Sequence, residues 1–308
     1  MKRTNVNRSA WAAAAGILAV SLAACGSSGG ASTASISSAA AHGANGDPAA
    51  RSLLPATIRK SGVITIGSSF SGAGLYYLNK DNKPDGTLVK LLEADAAHLG
   101  LTLHWTKISF SGLIPAMASG KIDMVGSQTT KTAENAKQAN FLGLYETSAS
   151  VVARKGKAYS STDDLCGSKL AFSTGATIAE DVAKSIDQQC RRDGKASVTT
   201  ASYGSSSDGA LAVRTGRIDG YIIATPNAIS MAKAQPGLTV ALKDDYANRV
   251  TGNSFAQTKD GLALAKAFQT QMNAMINSGE YAKIIKATGS LVTPIDRSLI
   301  NAQIKAAS

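Results

Sequence analysis

Three cysteines and three histidines hold most of this chain's capacity for nucleophilic, redox or metal chemistry. As a pair, Cys166 and Cys190 can form one disulfide, stand as two buried thiols or contribute to a metal site. No histidine lies near either in sequence. A thiolate–imidazole site needs four ligands at short spacing, so metal is the weakest of the three readings. Acid–base catalysis needs paired titratable groups facing one another in a cleft. His42 falls in a Gly/Ser/Ala-rich stretch, His98 in a helix-periodic one and His104 in a strand-like one. No Gly-x-Ser-x-Gly elbow between strand and helix, phosphate-cradling P-loop or metal-ligand spacing occurs. This inventory argues against an enzyme: it supplies no catalytic residue, no metal site and no cofactor motif.

The N-terminus carries a different kind of chemistry. Lys2, Arg3 and Arg8 precede an apolar run from Ala10 to Ala24. That run is short and alanine-rich, whereas a membrane span needs roughly 20 apolar residues. A basic start, a short apolar centre and small residues at its end describe a secretory signal over residues 1–24. Its end, Leu22-Ala23-Ala24-Cys25-Gly26, resembles a bacterial lipobox, in which the cysteine thiol accepts lipid. Residues 25–54 open with Gly, Ser, Ala and Thr and almost no large apolar side chain, which reads as a flexible tether. An exported domain favours the disulfide for Cys166 and Cys190. The strongly basic balance is scattered and aromatics are few, unlike the basic-plus-stacking pattern of nucleic-acid binders. It fits a solvated surface near an anionic envelope.

These groups need elements to position them. Val63-Ile64-Thr65-Ile66-Gly67 is strand-like, and Leu88, Leu91, Leu92, Ala96 and Leu99 recur at helical spacing before the Gly100 stop. Leu101 to Trp105 alternates as a strand, Leu113 to Ser119 reads as a short helix, and Ile122-Asp123 as the opening of the next strand. Strands alternating with helices predict a mostly parallel sheet flanked by helices. An internal echo goes further. Ala116 to Val125 (AMASGKIDMV) is matched by Ala212 to Tyr221 (AVRTGRIDGY), each a helix, a Gly stop, a basic residue and Ile-Asp. The echo fits two lobes on one plan, with a ligand cleft between them.

On several segments together the chain resembles the family 3 extracellular solute-binding proteins, receptors of polar amino-acid ABC transporters. These are Gly62 to Gly67, Phe110-Ser111-Gly112-Leu113-Ile114-Pro115-Ala116-Met117 with Ser119 to Asp123, Thr130-Lys131-Thr132-Ala133-Glu134, Leu165 to Leu170 with Gly175-Ala176-Thr177, Thr225-Pro226-Asn227, and Gly279 through Gly289. The paired Cys166 and Cys190 also look like a subgroup of that family. The resemblance implies a two-lobed periplasmic-binding-protein fold of type II with two hinge crossings: lobe 1 at 55–148 plus 253–308, lobe 2 at 149–252. It implies an interlobe site formed by Phe70, Phe110, Ser127, Gln128, Thr130, Asn135, Gly175, Ala176, Thr177 and Thr225. Two family anchors are replaced: Asn135 stands where an Arg grips the ligand carboxylate, and Ala224 where an Asp receives its amino group. The implied partners are a small polar solute, an ABC permease and the membrane through a lipid anchor, with the receptor a monomer lipid-anchored outside the cytoplasmic membrane. The other readings are a ligand-sensing receptor for a signalling partner, or a cleft enzyme of the cyclohexadienyl-dehydratase type.

Overall fold

The computed structural model describes residues 35–38, 47–72, 74–129, 131, 135–157, 159–242 and 249–301. The first stretch of chain builds β1 (Ser35–Ser38), α1 (Pro48–Ser52), α2 (Ala56–Ser61), β2 (Val63–Ser68), β3 (Ser71–Gly72), β4 (Tyr76–Leu78) and β5 (Pro84–Asp85). It continues through α3 (Thr87–His98), β6 (Thr102–Lys107), α4 (Leu113–Ala118), β7 (Met124–Thr129) and β8 (Ala139–Thr147). A second set follows: β9 (Ala149–Arg154), β10 (Lys169–Ser173), α5 (Thr177–Arg192), β11 (Thr199–Tyr203), α6 (Ser206–Arg214), β12 (Gly220–Ala224), α7 (Thr225–Ala234) and β13 (Leu238–Leu242). The chain then returns to the first sheet as β14 (Arg249–Ala256) and closes with α8 (Lys259–Asn277) and α9 (Glu280–Ala287).

Two large sheets result, ordered β1-β6-β2-β7-β14-β8 and β11-β10-β12-β9-β13. Each has three parallel strands at its heart, β6-β2-β7 and β11-β10-β12. Strands that run out to or back from a crossing add antiparallel pairs, so the sheets are mixed rather than mostly parallel. Sheet membership changes at Ser148 and again between Leu242 and Arg249. Arg249–Gly252, expected in the second lobe, therefore pair with β8 of the first.

Helices cover both faces of each sheet. In the second lobe, Val151 faces α5 beside Val182 and Ile186, whereas Val152 faces α6 and α7 beside Val213 and Met231. Successive strand residues point to opposite faces, so one Val-Val pair serves two cores. In the first lobe α3, α8 and α9 pack one face around Trp105, Phe268 and Tyr281, and α4 packs the other with Leu113 and Met117.

Within 25–54, expected to be a tether, β1 pairs antiparallel with β6. An edge strand offers unpaired backbone groups to any passing chain, and composition does not reveal this. From Asp47 the chain is also anchored. Asp47 caps α1, Ala50 is fully buried, and Arg51 Nη1 donates to Leu99 O at 3.0 Å.

The echoed turns have the same geometry in both lobes. Gly120 and Gly216 each sit at φ 73°, a left-handed cap that glycine adopts at no steric cost. Asp123 Oδ2 accepts the Thr65 N–H at 2.7 Å, and Asp219 Oδ2 accepts the Lys169 N–H at 3.0 Å. Thr65 and Lys169 belong to the first parallel strand of their sheets, β2 and β10. Ile-Asp was expected to open each strand. Instead it precedes β7 and β12, and the carboxylate ties the turn to the neighbouring strand. Cys166 and Cys190 form a disulfide that joins the approach to β10 to the end of α5.

Candidate functional site

The C-terminal ends of β7, β10 and β12 and the first turns of α4, α5, α6 and α7 converge on a cleft of about 360 Å³. Ligands of open α/β sheets bind at that end of the strands. The first lobe contributes Phe110 and Ser111 ahead of α4, Gln128 and Thr129 from β7, and Tyr76. The second lobe contributes Ser173, Gly175 and Ala176 from the loop between β10 and α5, Ser206, Ala224 and Asn227. Thr147, Ser148 and Ala149, where the chain crosses, line it from both sides.

The wall divides by polarity. Leu113, Ile114 and Pro115 of α4, Ile178, Ala179 and Val182 of α5 and Ile222 of β12 supply the apolar part. Hydroxyls and amides of Ser71, Gln128, Thr147, Ser148, Ser173 and Asn227 supply the polar part. Among the described residues of the wall none is a carboxylate, ammonium, guanidinium or imidazole. Tyr76 is the titratable one. Burial pushes its phenol well above the usual value, against the pull of its hydrogen bonds with Ser71 and Ser69, so it stays neutral. Its ring lies against Gly72, where any Cβ would collide with it. The N-terminus of α5 carries no side-chain cap, so backbone N–H groups of its first turn remain available to a partner.

Of the residues singled out in the sequence, Phe110, Gln128, Gly175 and Ala176 meet on this wall. Phe70 does not: at φ 48° its ring turns inward and packs 5.7 Å from Trp105. Ser127 is fully buried, with its Oγ 3.0 Å from Ser68 Oγ and accepting the Ser69 N–H at 3.0 Å. Thr225 is buried at the start of α7, its Oγ1 2.8 Å from both Ser148 Oγ and Ser150 Oγ. Thr130 and the side chains of Asn135 and Thr177 lie outside the described residues. Lys131 Nζ donates to Asn301 O at 3.1 Å and is not part of the cleft lining. Sequence reasoning missed Tyr76, Asn227 and the α4–α5 wall. The spacing of Ile178 and Val182, one turn apart at a helix start, was the available signal for the last.

A water-sized gap would bind nothing larger, but a cleft of this volume, walled by two α/β lobes joined by two crossings, defines a two-lobed binding protein. The profile of the bacterial extracellular solute-binding proteins, family 3, matches residues 64–288. The chain belongs to that family. It is 24% identical over 258 residues to the arginine-binding protein ArgT of Corynebacterium glutamicum, covering 83% of this chain and 84% of that one. The fold is similar to that of the substrate-binding protein AbpA from Streptococcus pneumoniae bound to L-arginine, with a TM-score of 0.66 and 24% identity over 75% of this chain and 96% of that one. It is also similar to a mutant of ArgBP from T. maritima, with a TM-score of 0.66 and 21% identity over 78% of this chain and 99% of that one.

Proposed function

We propose that this chain is the extracytoplasmic substrate-binding lipoprotein of an ABC importer, which takes a small amino acid or amino-acid-like solute into the interlobe cleft and presents it to a membrane permease. The observation that carries this is a cleft whose walls come from both lobes, Phe110 and Gln128 on one side and Gly175, Ala176 and Asn227 on the other. A solute held there touches both lobes at once, so it binds the closed arrangement better than the open one and shifts the population toward it. Relatives that bind arginine support the solute class. Residues 1–24 serve as the secretory signal, Cys25 accepts the lipid, and the receptor works as a monomer at the outer face of the cytoplasmic membrane. Asn135 and Thr177 complete the site from their two lobes.

The test has two arms. A thermal-shift screen of the full chain against the twenty amino acids and their amides should show a saturable rise in melting temperature with at least one solute, since binding only the folded state stabilises it. Deleting the chain from its host should abolish uptake of that solute, and Cys25→Ser should lose incorporation of labelled fatty acid. Sustained turnover of any probe, or uptake unchanged by the deletion, would refute the transport reading.

A further inference from the structure

The lining offers two kinds of surface, apolar and polar, and together they narrow the solute class named above. Ile114 and Pro115 on α4 and Ile178 on α5 line the cleft with apolar side chains that are not buried in either core. A guanidinium, ammonium or carboxamide placed between these side chains would lose its hydration with no partner on that wall, whereas an alkyl or aryl group would gain. At the polar part of the cleft, Asn227 in the first turn of α7 is 4% exposed, and its Oδ1 has no hydrogen-bond partner among the described residues. A buried amide oxygen is costly to leave unpaired, and Asn227 lines the cleft, so a donor on an occupant that reaches this oxygen would remove that cost.

We propose that the cleft selects solutes with an apolar body, seated between α4 and α5, and that Asn227 Oδ1 accepts a hydrogen bond from an N–H or O–H group at the solute's polar end. The proposal rests on the solute-binding reading and names the class of solute. Ile114 and Ile178 then act as specificity determinants, while Asn227 fixes orientation and does not choose between bodies.

Calorimetric titration of the full chain tests it with L-leucine, L-arginine, L-glutamine and 4-methylpentanamide. The three amino acids share one polar end and differ only in the body. The amide keeps an apolar body and an N–H donor without any charge. L-Leucine or 4-methylpentanamide is expected to bind at least tenfold more tightly than L-arginine and L-glutamine. Asn227→Ala should weaken that binding about tenfold with an unchanged melting temperature of the free protein, and Asn227→Asp, which keeps an acceptor oxygen, should restore part of it. Ile178→Ser should narrow the gap between leucine and glutamine. Tighter binding of arginine or glutamine than of leucine would overturn the proposal and leave the solute-binding reading standing. Full affinity in a folded Asn227→Ala protein would overturn the role of Asn227. No binding of any probe, with no melting shift across the wider screen, would sink both readings.

Discussion

Gly175 of the second lobe lies so close to Ser111 of the first that a Cβ on the glycine would sit 3.3 Å from the Ser111 Cα. The same glycine has φ +83°, where an L side chain is strained. One residue is thus held small by two separate requirements, its own backbone and the approach of the opposite lobe.

Those requirements separate experimentally. Gly175→Ala should destabilise the free protein by about 1–2 kcal/mol through the left-handed backbone, read as a lower denaturant midpoint. Closure over a ligand adds crowding against Ser111, so affinity should fall further, by roughly tenfold, or 1.4 kcal/mol. An equal melting loss with untouched affinity in calorimetry would show that the lobes do not approach here when the site fills.

The disulfide predicts a larger loss without any change of specificity. Cys166 and Cys190 stand 24 positions apart in sequence, and closing a loop of that size stabilises a fold by roughly 3 kcal/mol through the unfolded chain. The double replacement Cys166→Ala with Cys190→Ala should lower the unfolding free energy by about that much in urea titration, and the wild-type protein should lose the same amount under reductant. The ratio of affinities between solutes should stay as it was.

Asp95 offers a pH test. Its carboxyl is fully buried in α3, with no hydrogen-bond partner for either oxygen among the described residues. Burial first, then the Glu280 charge, raises its pKa well above the usual 3.8. A raised folded value means the folded state holds a proton that the unfolded chain releases. The stabilising contribution is therefore full below the unfolded value and is lost as pH rises through the folded one. Asp95→Asn should flatten that decline and be more stable than wild type at pH 8, by about 1–3 kcal/mol. Parallel stability curves for the two proteins would show that Asp95 is not the source.

Asp219 behaves in the opposite sense. The Lys169 N–H, and after it the Lys157 ammonium, hold its carboxyl below the usual range. Its contribution is present above the ordinary carboxylate value and disappears as pH falls through the lowered folded one. Asp219→Ala should cost about 1–2 kcal/mol at pH 7 and close to nothing in strong acid, by urea denaturation at both. Asp123→Ala in the twin turn should give a similar cost at pH 7.

Local patterns were legible before any coordinates. The apolar spacing of Leu88, Leu91 and Leu92 marked α3, and the two Gly–basic–Ile–Asp turns marked a repeated plan. Pairing partners were not legible, because β14 joins β7 and β8 across more than a hundred residues and hydrogen-bonds through its backbone. The same limit hid β1. At the cleft, Phe110, Gly175 and Ala176 were named through the family resemblance, and all three line it. Ser127 and Phe70 were misplaced by one step of strand alternation and by a left-handed backbone that turns Phe70 toward Trp105. The unpaired oxygen of Asn227 could not be read from spacing, because only burial exposes an unmet acceptor.

The knot of hydroxyls at Thr225 decides which half carries the connecting strand. Ser148 accepts the Thr225 N–H through its carbonyl at 2.8 Å, and its Oγ lies 2.8 Å from Thr225 Oγ1, which Ser150 also meets. From Ser148 onward the outgoing connection is thereby welded to the start of α7 and travels with it. A swing between the halves that keeps these bonds would bend the outgoing strand on the near side of Ser148, against β8. A solute touching Thr147 on one flank and Ala149 on the other would straddle that axle, feeling almost no displacement there while its far end is gripped.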